Sequence, residues 1–387
     1  MSADHIQNIC ALGTGTMGAS TALCFALAGY EVAFWGRTDQ SLQRGKDNIL
    51  SALKALNDNQ IIRSEDIPVV LGRIKQTTVL EHAARDADFV VESIKEDLGL
   101  KRTHFGALDT ICRSHTIFAT NTSSCSPTDI AEGLSEQRQE QFVVTHFFNP
   151  AHLMSLVEVV AGEKTSGQTM TTAFNLMEYI GRSPIKLWKE FPGFVANFLQ
   201  SNLLHAADDL IGQGYAVAAV DRAAQDIMKR SSLFNVNADE QQQSFLHTYL
   251  HDKISGAASK LVQQDVSPDT VDHVFSLVLG LRSRFAGMLE VADLGGLDVF
   301  KAIRDNLSDG HNTGLPSSLE ILVAQGNFGA KTGQGFYSWS EPRRLERVRD
   351  RNVVLFGALK EMLSGKFGQP AFPPMRGFDK PFVNLAA

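Results

Sequence analysis

Cysteine is scarce in this 387-residue chain. Cys10, Cys24, Cys112 and Cys125 are all there is, and their spacing fits neither a disulfide framework nor a metal-ligand set, so a reducing compartment and no metal are expected. An excess of basic charge is also missing: 36 Lys and Arg against 43 Asp and Glu leave a net charge of −7, which argues against a general binder of nucleic acid or of anionic membranes. No apolar run approaches the roughly 18 residues of a membrane span, and no signal-peptide pattern precedes the first apolar segment; a cytoplasmic protein is expected. What remains is an ordinary globular composition, 43% hydrophobic and 20% charged, with chain enough for two or three domains.

Residues 6–12 read as a short apolar strand, followed by Gly13-Thr14-Gly15-Thr16-Met17-Gly18 and a helical pattern over 19–29. Glycines at these three places allow a tight turn, a backbone that a pyrophosphate can approach, and close packing of helix on strand, with the helix N-terminus facing the phosphates. Such a pattern alone is weak. Set between a strand and a helix, and followed at once by a strand at 31–35, it reads as a dinucleotide site. Where that second strand ends, a cofactor without a 2′-phosphate is normally met by Asp or Glu, but here stand Gly36, Arg37 and Thr38. Absence of the carboxylate lifts a repulsion against a 2′-phosphate, and the Arg37 guanidinium offers a fork for it. Arg37 stacked on the adenine would serve either cofactor; on balance NADP is favoured over NAD.

Further strands are expected at 74–78, 87–92 and 116–120, with helices at 41–56 and 98–113. Just past 120 comes Asn121-Thr122-Ser123-Ser124. In a parallel sheet, residues beyond the carboxyl ends of strands line the ligand crevice, which places Ser123 there. Ser126, followed by Pro127, is instead a helix cap. A strand at 142–145 delivers His146 at its end, and Glu158 follows in the strand-like run 155–160. An imidazole whose one nitrogen is oriented by a carboxylate can move a proton with the other. Alone, His146 and Glu158 would read as a strand cap and a sheet-edge charge.

Together these residues resemble the 3-hydroxyacyl-CoA dehydrogenase family: Gly13 to Gly18, Asn121-Thr122-Ser123-Ser124, His146 to Pro150 with Glu158, Pro192-Gly193-Phe194-Val195-Ala196-Asn197, and Lys331-Thr332-Gly333-Gln334-Gly335-Phe336-Tyr337. The resemblance spans most of residues 6–340. It implies a doubly wound dinucleotide-binding (Rossmann) domain over 1–190 and an all-helical substrate and dimerisation domain over 191–387. It implies an oxidoreductase that interconverts a 3-hydroxyacyl group and its 3-oxo form by hydride transfer. His146 would be the general base, Glu158 its orienting carboxylate, and Ser123 and Asn197 the partners of the reacting hydroxyl. Glu96, Lys101, Asn149 and Lys331 would contact the cofactor, and the protein would be a homodimer.

Three departures qualify that likeness. Gly36 replaces the ribose-binding acid. Ala52 and Asn59 stand where the family offers a serine and a lysine to coenzyme A, so the thioester carrier is open between coenzyme A and a carrier protein, with a small free β-hydroxy acid as a rival substrate and an idle binding protein as a rival of another class. Finally, the helical part is about fifty residues too long. Leu210, Gln213, Val220 and Asp221 recur as Leu261, Gln264, Val271 and Asp272, each 51 residues on, as if a helix pair were repeated over about 197–247 and 248–298. Such a repeat would supply part of the partner surface of a dimer. Helices are expected at 197–211, 217–228, 240–263, 268–281, 299–306, 318–325 and 345–363, with an extended arm at 369–384.

Overall fold

The computed structural model describes residues 6–234, 244–307 and 317–363. Eight strands, β1 (Asn8–Leu12), β2 (Glu31–Trp35), β3 (Ile74–Thr77), β4 (Phe89–Glu92), β5 (Ile117–Thr120), β6 (Phe142–Phe147), β7 (Leu156–Ala161) and β8 (Ser183–Leu187), make one sheet in the order β3-β2-β1-β4-β5-β6-β7-β8. Neighbours are parallel except β6 and β7. Strands β4 to β7 are buried at every position, which is why they read as continuous apolar runs rather than alternating ones.

The strand order reverses between β1 and β4, and a doubly wound sheet opens its ligand crevice at such a point. The loops after the two strands press together there: a Cβ on Gly13 would lie 2.4 Å from the Ser93 carbonyl oxygen. The antiparallel pair lies farther along the sheet, and its register sets His146 opposite Glu158. β6 runs on to Phe147, so His146 is a ladder residue rather than the end of the strand. β8 carries no strand pattern in the sequence because Pro184 and Lys186 interrupt it; as the edge strand, paired only with β7, it tolerates the proline.

Two compact units divide the chain, one of Met1–Phe191 with Phe356 onward and one of Pro192–Leu355. The expected second domain ran to residue 387, whereas the last helix, Glu341–Leu363, passes its final turns to the first unit. The arm at 369–384 lies outside the described residues. The second unit is helical: Phe194–Gly212, Val217–Met228, Phe245–Gln263, Pro268–Phe275 continued by a π-helical turn Ser276–Gly280, Met288–Gly295, Leu297–Leu307 and Ser318–Ala324. Its first helix starts three residues before the apolar pattern suggests, because Gly193 at φ 76° breaks the chain after Pro192. Among the described residues, no helix is long and apolar enough to cross a membrane.

Candidate active site

A single antiparallel pairing builds the centre of the site. Side chains opposite one another on one face of such a pair are close neighbours, and here Glu158 Oε2 lies 2.7 Å from His146 Nδ1. Glu158 is 0% and His146 3% exposed, so water does not compete for this bond. The other ring nitrogen, Nε2, lies 3.1 Å from Ser123 Oγ, delivered by the loop after β5. A carboxylate, an imidazole and a hydroxyl thus stand in line, with the carboxylate at the buried end. Ser126 lies outside this line: it caps the helix Pro127–Ala131, accepting from the Asp129 N–H at 3.0 Å.

The loop that carries Ser123 is tied by Glu96. Its Oε1 accepts from Thr122 Oγ1 (2.6 Å), the Ser123 N–H (2.9 Å) and both the N–H and Oγ of Ser124 (3.0 Å each). Its Oε2 lies 3.1 Å from Lys101 Nζ, which also donates to both oxygens of Glu92 at 2.9 and 3.0 Å. Those three contacts use the donors of the ammonium. Lys101 is 1% exposed, and where the resemblance made it a cofactor contact, its head group is closed on two carboxylates and reaches the crevice through Glu96. Burial works against the Glu96 charge, but the Lys101 ammonium and the Thr122 and Ser123 donors outweigh it and hold the carboxyl below its usual range. Burial likewise opposes the Lys101 charge, and Glu92 and Glu96 prevail, raising its pKa.

Glu92 and Asn121 belong to this framework, although the sequence reading passed over Glu92 and gave Asn121 no role of its own within its motif. Glu92 ends β4, is 0% exposed, and accepts from Thr120 Oγ1 at 2.6 Å. Asn121 accepts from the Phe147 N–H at 2.8 Å and donates to Ser93 Oγ at 3.2 Å, joining the ends of three strands. An acid at the end of an otherwise apolar buried strand was the available signal for Glu92.

The glycine loop divides by cause. Gly13 at φ 102° and Gly18, whose Cβ would lie 2.0 Å from the Gly13 carbonyl oxygen, are required by the protein's own packing. A Cβ on Gly15 would meet nothing within 4 Å, so that glycine answers to space outside the chain, at the start of the helix Thr16–Leu27. This opening fits a pyrophosphate on the helix N-terminus. Beyond β2, a Cβ on Gly36 would lie 2.6 Å from Thr14 Cγ2, 2.9 Å from Ser41 Oγ and 3.0 Å from Leu42 Cγ. A side chain at 36 would therefore require the Thr14, Ser41 and Leu42 side chains to shift. Arg37 is exposed, and Thr38 caps the helix Asp39–Asp58, accepting from the Ser41 N–H at 3.2 Å. Asn149 is exposed in the loop after β6.

In the second unit, Asn197 is 6% exposed within the first turn of its helix. Lys331 is 44% exposed and pairs with Asp298, its ammonium 5.4 Å from the Phe328 ring centre. The loop around Lys331 is fixed by Asp293, which the sequence reading also passed over: it accepts from the Phe336 and Tyr337 N–H groups at 3.0 and 2.9 Å and from Trp339 Nε1 at 2.8 Å. A Cβ on Gly335 would lie 2.1 Å from Asp293 Oδ1, so this motif glycine serves the anchor. Among the described residues, no group of three or more His, Cys, Asp or Glu could hold a metal ion.

Comparison with known proteins matches both units. Residues 8–191 fit the family model described as 3-hydroxyacyl-CoA dehydrogenase, NAD binding domain, and residues 248–339 the one described as 3-hydroxyacyl-CoA dehydrogenase, C-terminal domain. The mitochondrial hydroxyacyl-coenzyme A dehydrogenase of Homo sapiens is 30% identical over 343 residues, 86% of this chain and 91% of that one. The 5-formyl-3-hydroxy-2-methylpyridine 4-carboxylate 5-dehydrogenase of Mesorhizobium japonicum is 26% identical over 366 residues, 93% of this chain and 99% of that one. Among solved structures, 3-hydroxybutyryl-CoA dehydrogenase from Escherichia coli K12 substr. MG1655 matches at a TM-score of 0.66 and 27% identity, covering 87% of this chain but only 60% of the other.

Proposed function

The chain belongs to the 3-hydroxyacyl-CoA dehydrogenase family, oxidoreductases that act on a CH–OH group, and from that premise we propose that it oxidises a 3-hydroxyacyl thioester to the 3-oxo form, and the reverse. The observation that carries this reading is the line Ser123, His146, Glu158. In the oxidative direction Ser123 Oγ holds the substrate hydroxyl beside His146, and Nε2 takes its proton. Glu158, at 2.7 Å from Nδ1, fixes the ring and offsets the positive charge the ring then carries. A bound nicotinamide cofactor would supply the hydride acceptor for the carbon that bears this hydroxyl. Gly15, Glu96, Asn149 and Lys331 are the residues proposed to hold that cofactor, and Asn197 to add a donor to the reacting oxygen.

Within the nicotinamide cofactors, a preference for NADP is part of the proposal. It is supported by Gly36, where no ribose-binding acid stands and the neighbouring side chains close in, and by the exposed Arg37 beside it. Replacement of Arg37 by Ala is expected to weaken NADP by about 1.5–3 kcal/mol, the size of a charge-assisted bond, and to leave NAD nearly unchanged. Titration of the protein with each cofactor measures this, and equal losses would remove Arg37 from the phosphate.

A second reading of the substrate, a small free acid, has one observation of its own. Asn59 spends its side-chain amide on the Ala55 carbonyl at 2.8 Å, capping its own helix where the family offers a cation to coenzyme A. The Mesorhizobium relative, too, is named for a pyridine carboxylate rather than a thioester. The deciding experiment follows cofactor reduction with one 3-hydroxyacyl group presented on coenzyme A, on a pantetheine arm, and as the free acid. Activity on the thioesters alone supports the first reading, activity on the free acid the second, and none with any of them defeats both.

A further inference from the structure

Two helix pairs of the second unit share one plan at an offset of 51 residues: Phe194–Gly212 with Val217–Met228, and Phe245–Gln263 with the helix from Pro268. Their turns close with the same hydrogen bonds. Gly214 N–H donates to the Ile211 carbonyl (2.9 Å) and Tyr215 N–H to Leu210 (3.1 Å); 51 residues on, Asp265 donates to Val262 (3.1 Å) and Val266 to Leu261 (3.2 Å). Gly214 at φ 92° and Asp265 at φ 66° fill the same left-handed position, which Asp tolerates better than most residues. Burial repeats as well. From Leu250 to Leu279 each buried position of the second pair, Val266 excepted, has a buried counterpart 51 residues earlier, as in Leu203 and Ile254 or Ala207 and Ala258.

The pairs also face each other reciprocally. The first helix of each packs on the first helix of the other, and each first helix also meets the other pair's second helix. The repeated aspartates cross over. Asp221, of the first pair, accepts from the Leu289 and Glu290 N–H groups (2.7 and 3.2 Å), which follow the second pair. Asp272, of the second pair, accepts from the Leu233 N–H (2.8 Å), which follows the first. The two aspartates thus meet different positions of the repeat, but the helix contacts run the same way in both directions, as between two-fold partners. The family's C-terminal model begins at residue 248, on the second pair, and leaves the first pair between the two matched segments.

We propose that the two pairs are copies of one unit, seated on each other as two-fold partners within a single chain, so that the apolar face a lone pair would offer to a second molecule is filled from inside and the protein is a monomer. An amphipathic helix pair must cover its apolar face, and a covalently linked partner is present at an effective concentration that a separate chain reaches only when concentrated. The expected homodimer is thereby replaced, and the inference holds whatever the substrate proves to be.

Sedimentation equilibrium of the full chain from about 1 to about 100 μM, with thermal melts across the same range, tests it. A single species with the mass of one chain and a melting temperature independent of concentration is expected. A species of twice that mass, or a melting temperature that climbs with concentration, would overturn the proposal. A variant without residues 212–262 keeps one helix pair in register, joining Ile211 to Gln263. If it folds, it should become a dimer, and a folded monomer would count against the proposal; if it does not fold, the measurements on the full chain decide.

Discussion

Glu96 in the first unit and Asp293 in the second are each ringed by donors, yet Glu96 sits below the ordinary carboxylate range and Asp293 above it. Burial pushes both upward. The difference lies in what pushes back. Glu96 has the Lys101 ammonium at 3.1 Å as well as hydroxyl and amide donors. Asp293 has an indole and two amides, with the Arg343 charge acting more weakly. A full charge outweighs desolvation where a set of dipoles does not. The site loop is therefore held by ionic contacts that persist across ordinary pH, while the Lys331 loop is anchored by a carboxyl that takes a proton more readily. Asp221, under the same burial with amide and phenol donors only, is pushed up to about 6.

The comparison is sharpened most strongly at His146, where a third carboxylate, Glu158, orients a base instead of a loop. Replacement of His146 by Gln should lower turnover by roughly 10² to 10⁴, the contribution of a positioned base, with cofactor affinity unchanged. Steady-state kinetics with cofactor titration measure both, and turnover within a few-fold of the parent would move the base elsewhere.

Next in size is a contrast between the two anchors. Lys101→Met leaves the buried Glu92, and the more exposed Glu96 beside it, without their cation; the buried pair with Glu92 sets the loss at about 3–5 kcal/mol. Asp293→Asn leaves neutral partners behind and should cost about 1–3 kcal/mol, the penalty of an unpaired donor. Urea unfolding of both variants gives the comparison directly. Equal losses would mean that charge is not what separates the two anchors. Replacing Glu92 by Gln in the Lys101→Met background should recover part of the loss, since one of the two stranded charges is then gone.

Much of the fold was legible because it rests on local patterns. The glycine turn between strand and helix, the buried runs of β1, β4 and β5, and the Ser126-Pro127 cap are all short-range signals. The helix Val217–Met228 was expected at its observed ends. The pairing of β6 with β7 was not, because antiparallel register is a long-range property; His146 was therefore placed at the end of a strand that continues past it. β8 was hidden by Pro184, and Glu92 and Asp293 by their surroundings, since an acid in an apolar stretch announces burial without naming its partner. Lys101 shows the limit of resemblance: the motif fixed its position in the chain, and only the structure turned its head group toward Glu92.

The smallest effect is the one in which the two kinds of anchor should differ in sign. For Asp221 the folded-state pKa of about 6 stands above the ordinary value of 3.8. Between those two values the folded protein keeps a proton that the unfolded chain has released, so the stability associated with Asp221 falls as pH rises from about 4 to about 6, by at most about 3 kcal/mol. Glu96 is the opposite case. Its folded pKa lies below the ordinary value of 4.5, so its contribution is present above that value and is lost as pH falls through the folded pKa. Asp221→Asn and Glu96→Gln each remove one titration. The stability of the parent minus that of the variant, followed by urea unfolding between about pH 2.5 and about pH 7, should therefore decline with pH for Asp221, and should be lost toward acid for Glu96. Slopes of the same sign would show that the ammonium of Lys101 does not distinguish the two sites.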